Sequence, residues 1–228
     1  MAVEILASNG VKAALEELAP AFERATGHRL AVAFGLGAAL KRRIEAGEPF
    51  DLAILTAAAV DELAKRGRVD GASRAAIASS GVGIGIRPGA ARADIGTRDA
   101  LERALLAAES ITWAREGAGG VYFAAVLERM GLAERLKPRI VLAASGEEVG
   151  RLVASSEVQY GVILVNEILA APGMELLGPL PPELQKMTAF HAAAAAGSKR
   201  AAAAKALTEF LRTPSARAVF AAKGQEPA

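Results

Sequence analysis

The stretch Ile111-Thr112-Trp113-Ala114-Arg115-Glu116-Gly117-Ala118-Gly119-Gly120-Val121-Tyr122-Phe123 decides the fold of this chain. Its apolar start predicts a buried strand, its glycines a tight turn, and the residues from about Val121 to Met130 a helix. A turn of this kind offers backbone N–H groups to an anion, because the first N–H groups of a helix have no partner within it. Glycine also lets the backbone approach a ligand closely. Anion contacts are therefore predicted from the backbone of Gly119, Gly120 and Val121.

Two polar side chains flank this turn. Arg115 directly follows the strand, where its guanidinium could bind a carboxylate through two parallel hydrogen bonds. The alternative is an ordinary surface ion pair with Glu116. Tyr122 lies one residue into the helix, where its hydroxyl could contact the same ligand or could pack against the rest of the protein. Both residues are candidate ligand contacts.

The N-terminus repeats this design. Val3–Ala7 reads as a strand, Ser8-Asn9-Gly10 as a turn, and the residues from Val11 onward as a helix. Ser8, Asn9 and Gly10 are candidate ligand contacts, although Ser8 or Asn9 could instead be a helix N-cap. Two such turns, about a hundred residues apart, predict two lobes that close on one anionic ligand.

The first eighty residues alternate between strand and helix patterns, which predicts a parallel sheet with right-handed crossovers. The second strand-to-helix turn is Gly35-Leu36-Gly37, and Thr56 follows the third strand; these four residues are further candidate contacts, with helix capping the alternative for Thr56. The predicted strands are Val3–Ala7, Leu30–Phe34 and Asp51–Leu55, and the predicted helices are Val11–Thr26, Ala38–Ala46 and Ala57–Arg66.

A second α/β unit follows, and its strand ends supply the last candidates. Ser145 and Gly146 repeat the strand-to-helix turn, and Asn166 follows the strand Tyr160–Leu164. Glu147 and Glu148 are interpreted as structural partners of a helix dipole. The other predicted elements are Val82–Ile86, Asp99–Ala107, Ile140–Leu142, Glu147–Ala154, Thr188–Ala195, Ala201–Arg212 and Ser215–Ala222. The Pro- and Gly-rich segment Pro172–Pro182 is predicted to cross between lobes without forming a packed element.

Composition excludes several functions. There are no cysteines, and the two histidines, His28 and His191, lie far apart in sequence, so neither a metal site nor a cofactor is predicted. The 27 basic and 25 acidic side chains nearly balance, which does not favour nucleic-acid binding. No apolar run is long enough to span a bilayer, so no membrane insertion is expected. The compartment is periplasmic if Met1 replaces a removed signal peptide, and cytoplasmic if Met1 is native.

Four segments resemble one known family: Ser8-Asn9-Gly10, Leu40–Leu52, Gly119–Phe123 and the run Pro172–Gln185. The chain is similar along its whole length to the substrate-binding proteins of the molybdate-type ABC importers, in the type II periplasmic-binding-protein superfamily. The resemblance implies an α/β fold of two lobes, each a sheet flanked by helices, with a ligand cleft between the lobes. It also implies a monomer that passes its ligand to the membrane subunits of an ABC transporter.

The resemblance further implies the lobe boundaries. Lobe one comprises residues 1–82 and 186–228, lobe two comprises residues 83–185, and the hinge crossings lie near residues 82–86 and 178–188. One departure concerns the ligand, because the family's first two contact turns are rich in serine. Here Gly10 stands nearest the family's serine position, Gly35-Leu36-Gly37 carries no hydroxyl, and the family's late tyrosine falls near Leu164. A larger organic anion therefore fits better than molybdate.

Two functions of different classes follow. The first is a solute-binding protein for a small organic or inorganic anion. The second rests on the Pro172–Gln185 run, which resembles a branch that includes an aconitate isomerase. An isomerase needs a general base, and Glu116, Tyr122 and His191 are the candidates. A third reading, an effector-sensing domain, is disfavoured because no helix-turn-helix is attached.

Overall fold

Parallel strands joined by helices build two separate sheets in the computed structural model, which describes residues 2–228. The strands are β1 (Val3–Ser8), β2 (Leu30–Gly35), β3 (Leu52–Thr56), β4 (Ala75–Ser80), β5 (Val82–Ile86), β6 (Ile111–Ala114), β7 (Ile140–Ala143), β8 (Tyr160–Leu164), β9 (Glu175–Pro179), β10 (Thr188–Ala194) and β11 (Glu226–Pro227). The helices are α1 (Lys12–Thr26), α2 (Gly37–Glu45), α3 (Ala57–Lys65), α4 (Arg98–Ala107), α5 (Ala118–Met130), α6 (Ala133–Leu136), α7 (Gly146–Ala154), α8 (Val165–Ala170), α9 (Ala201–Phe210) and α10 (Pro214–Ala222).

The first compact unit, called unit 1 below, comprises Met1–Ser79 and Thr188–Ala228. Its sheet has the order β11-β4-β10-β3-β1-β2. Strands β1, β2 and β3 are parallel, as predicted, whereas β10 runs antiparallel to β3. Apolar residues of α2 and α3 bury one face of this sheet, and the resulting core contains Leu6, Leu40, Ile44, Ala53, Leu55, Val60, Leu63, Val69 and Ala193.

The second compact unit, unit 2, comprises Ser80–Met187. Its sheet has the order β7-β6-β8-β5-β9, in which β6 is parallel to both β7 and β8, and β5 is antiparallel to both β8 and β9. The core around α7 and α8 contains Ala114, Ala143, Val149, Leu152, Val158, Ile163 and Ile168. The chain is therefore α/β with two helix-flanked sheets, as predicted.

The segment Pro172–Pro182 was predicted not to form a packed element, and this is wrong. Residues Glu175–Pro179 form β9, which pairs with β5 at the end of the unit 2 sheet. An edge strand tolerates proline at its end, because an edge position needs fewer ladder hydrogen bonds than a central one. The Pro- and Gly-rich composition of this segment therefore did not indicate that it contains the strand β9. The strands β4 and β11 and the short helices α6 and α8 were also missed.

Asp51 fixes the start of β3 in unit 1. The residue is only 4% exposed, and its carboxylate accepts hydrogen bonds from Glu4 N at 2.9 Å, from Ser198 Oγ at 2.7 Å and from Arg200 Nη1 at 3.0 Å. Burial acts to raise the pKa of Asp51, but these hydrogen bonds and the Arg200 charge outweigh it and hold the pKa below its ordinary value. One carboxylate thus ties together β1, β3 and the segment before α9.

Replacing Asp51 is expected to destabilise unit 1. Asp51→Ala leaves the Glu4 N–H and the Ser198 hydroxyl without their acceptor, which costs about 2–3 kcal/mol of unfolding free energy. Urea unfolding near neutral pH measures this loss. Glu48→Ala, which breaks only the exposed ion pair with Arg43, is the control and should leave the unfolding curve almost unchanged. Equal effects of the two substitutions would contradict the central role of Asp51.

Candidate functional site

In unit 1, parallel pairing places three strand-to-helix turns at one edge of the sheet. Ser8 pairs with Gly35, and Ala7 pairs with Ile54, two residues before Thr56. The carboxyl ends of β1, β2 and β3 therefore lie side by side, where ligands bind in open α/β sheets. We call this set the unit 1 edge; its members are Ser8, Asn9, Gly10, Gly35, Leu36, Gly37 and Thr56.

The two hydroxyls of the unit 1 edge both serve as local caps. Ser8 Oγ accepts from Gly10 N at 3.3 Å, and Thr56 Oγ1 accepts from Ala59 N at 3.4 Å, at the start of α3. Capping uses an oxygen lone pair and leaves the O–H proton to donate. The two alternatives of capping and ligand contact are therefore chemically compatible.

The glycines of the unit 1 edge differ in what surrounds them. A Cβ built on Gly10 would overlap the ring of Phe190, with its Cε1 2.9 Å away, whereas one built on Gly37 would meet nothing within 4 Å. Gln225 Nε2 also donates to Gly10 O at 3.1 Å. Gly10 is thus required by packing. Gly37 faces open space at the start of α2, where Leu36 provides no side-chain cap.

Unit 2 has a corresponding edge. Strands β6 and β7 pair from Ile111 with Ile140 to Ala114 with Ala143, β8 runs parallel to β6, and Arg115 N donates to Ala143 O at 2.9 Å. The carboxyl ends of β6, β7 and β8 therefore coincide, and α5, α7 and α8 begin there. We call residues 114–120, 143–146 and 164–167 the unit 2 edge.

The α5 helix begins at Ala118, three residues earlier than predicted. Val121 N donates to Gly117 O at 2.9 Å, so this N–H belongs to the helix, and the groups without an intrahelical partner are those of Ala118, Gly119 and Gly120. Gly117 provides no side-chain cap. The backbone at the start of α5 can therefore still donate to an anion. The Val121 N–H, which was predicted to contribute, is not available.

Close packing explains two of these glycines. A Cβ on Gly119 would lie 3.1 Å from the backbone carbon of Ile163, and one on Gly120 would overlap the carbonyl oxygen of Ala114 and lie 2.6 Å from Trp113 Cδ1. The prediction attributed both glycines to close approach of a ligand. In the structure they let α5 lie directly against β6 and β8.

Arg115 and Tyr122 differ in whether their side chains still have donor groups for a ligand. Arg115 is exposed beside the start of α5, and among residues 2–228 its guanidinium forms no ion pair, which disfavours the alternative of a surface pairing with Glu116. Tyr122 Oη donates to Leu184 O at 2.8 Å and accepts from Arg129 Nη2 at 3.1 Å. The one hydroxyl proton of Tyr122 is therefore used inside unit 2, whereas Arg115 remains able to hold an anion.

Ser145, Gly146 and Asn166 complete the predicted residues of the unit 2 edge. Ser145 Oγ accepts from Glu148 N at 3.1 Å and so caps α7, which begins at Gly146. Asn166 is buried at the start of α8, and its backbone N donates to Ser80 Oγ at 3.4 Å. All three lie where β7 and β8 end.

Glu167 also lies at the unit 2 edge, and sequence reasoning missed it. Its Oε2 accepts from Leu164 N at 3.3 Å, and a Cβ built on Gly146 would lie 3.9 Å from its carboxyl carbon and both oxygens. Burial of the carboxyl raises the pKa of Glu167 to about 7, and the Leu164 hydrogen bond opposes this rise only in part. A glutamate three residues after a strand end is a helix-start signal that could have revealed both α8 and this residue.

The three bases proposed from the sequence lie in different surroundings. Glu116 is exposed in the turn before α5, and Tyr122 is hydrogen-bonded as described. His191 lies in β10 beside Leu55, and its buried Nδ1 has no hydrogen-bond partner among the described residues. Burial and the Arg74 cation lower the pKa of His191, so the ring is neutral at pH 7.

The described part of the chain has neither a cluster of metal-ligating side chains nor a membrane-spanning helix. Residues 2–228 contain no group of three or more His, Cys, Asp or Glu side chains that could hold a metal ion. Over the same residues, no helix combines the length and the apolar character needed to cross a membrane.

Comparison with known proteins gives the chain's relatives. The family model described as bacterial extracellular solute-binding protein matches residues 3–226. An aconitate isomerase from a Pseudomonas species is 33% identical over 231 residues, covering 98% of this chain and 87% of that protein. The molybdate-binding protein ModA of Escherichia coli K12 is 21% identical over 226 residues, covering 96% of this chain and 86% of that protein.

Solved structures show the same fold. The periplasmic molybdate-binding protein of Azotobacter vinelandii superimposes with a TM-score of 0.83 at 20% identity, covering 98% of each chain. This match confirms the two-lobed fold class that the sequence resemblance implies.

The contrast between Gly120 and Gly37 is testable. Gly120→Ala forces a methyl group into Ala114 and Trp113, and overpacking of this kind costs about 1–3 kcal/mol of stability. Gly37→Ala meets open space and is expected to change stability by less than about 1 kcal/mol. Thermal unfolding of both variants measures the difference. Equal destabilisation would contradict the packing assigned to α5.

The raised pKa of Glu167 predicts a pH-dependent stability. The folded state retains this proton to higher pH than the unfolded chain, so the contribution to stability is complete below the ordinary pKa of 4.5 and is lost as pH rises through about 7. Each pKa unit corresponds to ~1.36 kcal/mol, which limits the loss to about 3 kcal/mol. Glu167→Gln should abolish this component.

Urea unfolding between about pH 5 and pH 8 measures the effect, because titration of a raised-pKa carboxyl falls in this interval. Glu183→Gln is the matched control, since Glu183 also accepts a backbone N–H, from Arg98 at 3.0 Å, but its pKa is lowered by such hydrogen bonds. This control should retain the wild-type pH trend. An unchanged trend in Glu167→Gln would show that the Glu167 carboxyl is not desolvated.

Proposed function

Because this chain belongs to the family of bacterial extracellular solute-binding proteins, we propose that it binds a small organic polycarboxylate for delivery to an ABC-type importer. The proposal rests chiefly on one observation: the unit 2 edge combines an exposed Arg115, which forms no ion pair within residues 2–228, with an α5 start that has no side-chain cap. We propose that the unit 1 edge also contributes to ligand binding.

The donors at the unit 2 edge suit a carboxylate. A guanidinium presents two parallel N–H groups to the two oxygens of a carboxylate, and a helix start adds backbone N–H groups and a positive dipole end. Ser145 at the start of α7 can contribute its hydroxyl proton as a second point of contact. A ligand with more than one carboxylate can use these points together.

The unit 1 edge argues against a tetrahedral oxyanion. Residues Gly35, Leu36 and Gly37 carry no hydroxyl, and the space beside Gly37 is open. An oxyanion would lose donors there, each contributing about 0.5–1.5 kcal/mol. A larger and partly apolar ligand fills such space better and needs fewer donors.

The relatives support the same ligand class. Identity to the aconitate isomerase is 33%, whereas identity to the E. coli molybdate-binding protein is 21%. The named substrate of the first relative is a tricarboxylate, and that of the second is an inorganic oxyanion. The larger identity therefore favours an unsaturated or hydroxylated tricarboxylate as the ligand.

A second candidate function is isomerisation of such a tricarboxylate. It is favoured by the aconitate isomerase relative and by Glu167, a carboxyl group with a pKa of about 7 at the unit 2 edge. A general base is most effective when its pKa lies near the working pH. Binding and catalysis would then use the same edge.

Thermal unfolding with citrate, trans-aconitate, molybdate and sulfate tests the ligand class. At a ligand concentration of 100 Kd the folded state gains about 2.7 kcal/mol, which gives a clear rise in Tm. We expect citrate or trans-aconitate to give this rise. A rise with molybdate alone would refute the polycarboxylate proposal.

Arg115→Ala tests the site. Loss of a charge-assisted hydrogen-bonding partner costs about 1.5–3 kcal/mol, so affinity for the polycarboxylate should fall about 10- to 100-fold in isothermal titration calorimetry. Arg103→Ala, which removes an exposed arginine from α4, is the control and should bind as wild type does. Equal affinity of the two variants would remove Arg115 from the site.

A further inference from the structure

Glu167 sits where two helices begin. It is the third residue of α8, and its carboxyl lies over Gly146, the first residue of α7, with the Gly146 Cβ position 3.9 Å from both carboxyl oxygens. Within residues 2–228 its carboxyl accepts one hydrogen bond, from Leu164 N to Oε2 at 3.3 Å. Oε1 therefore remains to contact a bound molecule.

Uncharged residues lie on either side of Glu167. Ile168, the next residue, is fully buried against Gly83 and Gly85 of β5, and the neighbouring α7 starts with the Ser145 cap. The charged groups on α7 are Glu147 and Glu148 in its first turn and Arg151 in its last turn, and Glu148 Oε2 accepts from Ala144 N at 2.6 Å. The raised pKa of Glu167 has desolvation as its first cause and no contribution from a charged neighbour.

The same edge carries the groups assigned above to carboxylate binding. Ala143, which precedes the α7 turn, pairs with Ala114, and Arg115 N donates to Ala143 O. Strand register thus places the Arg115 turn, the α5 start and the Glu167 carboxyl along one side of one sheet. A polycarboxylate held by the first two would present its carbon chain to the third.

We propose that Glu167 is the catalytic base and acid of a 1,3-proton shift in an unsaturated polycarboxylate bound at the unit 2 edge. This inference rests on the proposed function, in which that edge binds such an anion. It names the residue that would transfer the proton, a role assigned from sequence to Glu116, Tyr122 or His191.

One carboxyl group is enough for the whole transfer, because it first removes the proton and then returns it. Ionised Glu167 removes a proton from the methylene carbon that lies between the double bond and a carboxylate, so the C–H electron pair becomes the new C=C bond. The original π pair then forms a C–H bond at the far carbon, which takes the proton back from Glu167. Arg115 and the α5 N–H groups stabilise negative charge that develops on the substrate carboxylate during the transfer. No oxidant, reductant or second reactant is needed.

The test follows trans-aconitate in solution with the full chain. Proton NMR of wild type, Glu167→Gln and Glu183→Gln measures the appearance of the cis isomer, and calorimetry measures affinity for trans-aconitate. We expect wild type and Glu183→Gln to convert the acid equally. Because general acid–base catalysis contributes about 10²–10⁴-fold, Glu167→Gln should lose at least about 100-fold in kcat while its affinity changes only a few-fold.

The pH profile separates catalysis from a structural role. Wild-type kcat should rise as Glu167 ionises through about pH 7, since the step begins with the carboxylate. Glu167→Asp, which keeps a carboxyl group, should restore part of the turnover with a displaced profile. If Glu167→Gln does not fold, the wild-type pH profile of kcat and the turnover of Glu167→Asp still test whether Glu167 transfers the proton.

Three outcomes would overturn the proposal, and they are distinguishable. Absence of any Tm shift with polycarboxylates refutes the proposed function and this inference together. Binding of trans-aconitate that wild type returns unchanged refutes the inference and leaves the binding function intact. Full turnover in Glu167→Gln shows that another residue carries the proton.

Discussion

Parallel strand register is the constraint on which the candidate sites depend. Since β1, β2 and β3 run in one direction, as do β6, β7 and β8, every chain reversal after these strands occurs at the same edge of its sheet. Each reversal starts a helix, so the first backbone N–H groups of three helices lie at each of these edges. The packing of α5 preserves this arrangement in unit 2, because only glycine at positions 119 and 120 lets the helix lie directly on the strands.

Capping divides these helix starts into two kinds. Thr56 and Ser145 satisfy N–H groups of α3 and α7, and each keeps one hydroxyl proton for a ligand. Gly117 and Leu36 provide no side-chain cap to α5 and α2, so the backbone itself can bind there. A mixture of hydroxyl and backbone donors suits a ligand whose charge is spread over separate carboxylates. Such a ligand need not be surrounded by donors, as a compact oxyanion must.

Much of this fold could be predicted from the sequence, because alternation of apolar strands with helices is a local signal. The resemblance to the molybdate-type family and the two-sheet fold are confirmed, and Gly27 ends α1 in the left-handed conformation expected of a helix stop. The strand β9 was missed because its pairing with β5 depends on residues ninety positions away. Glu167 was missed for a related reason: desolvation of its carboxyl arises from packing of α8 and α7, which local sequence does not encode. The ligand contacts predicted at both edges remain predictions.

In the proposed reaction, the Glu167 carboxyl is the group that distinguishes an isomerase from a carrier. Glu167 has a structural role, because its carboxyl accepts the Leu164 N–H at the start of α8. An ionised carboxyl there repels a bound anion and lowers stability above its pKa, so the proposed proton transfer gives the group a second role beside capping. Helix starts would stabilise the negative charge that develops on the substrate when its carbon loses a proton, and desolvation raises the pKa of Glu167 to about 7. In the proposed reaction, the anion-binding edge and the Glu167 carboxyl would act on the same bound molecule.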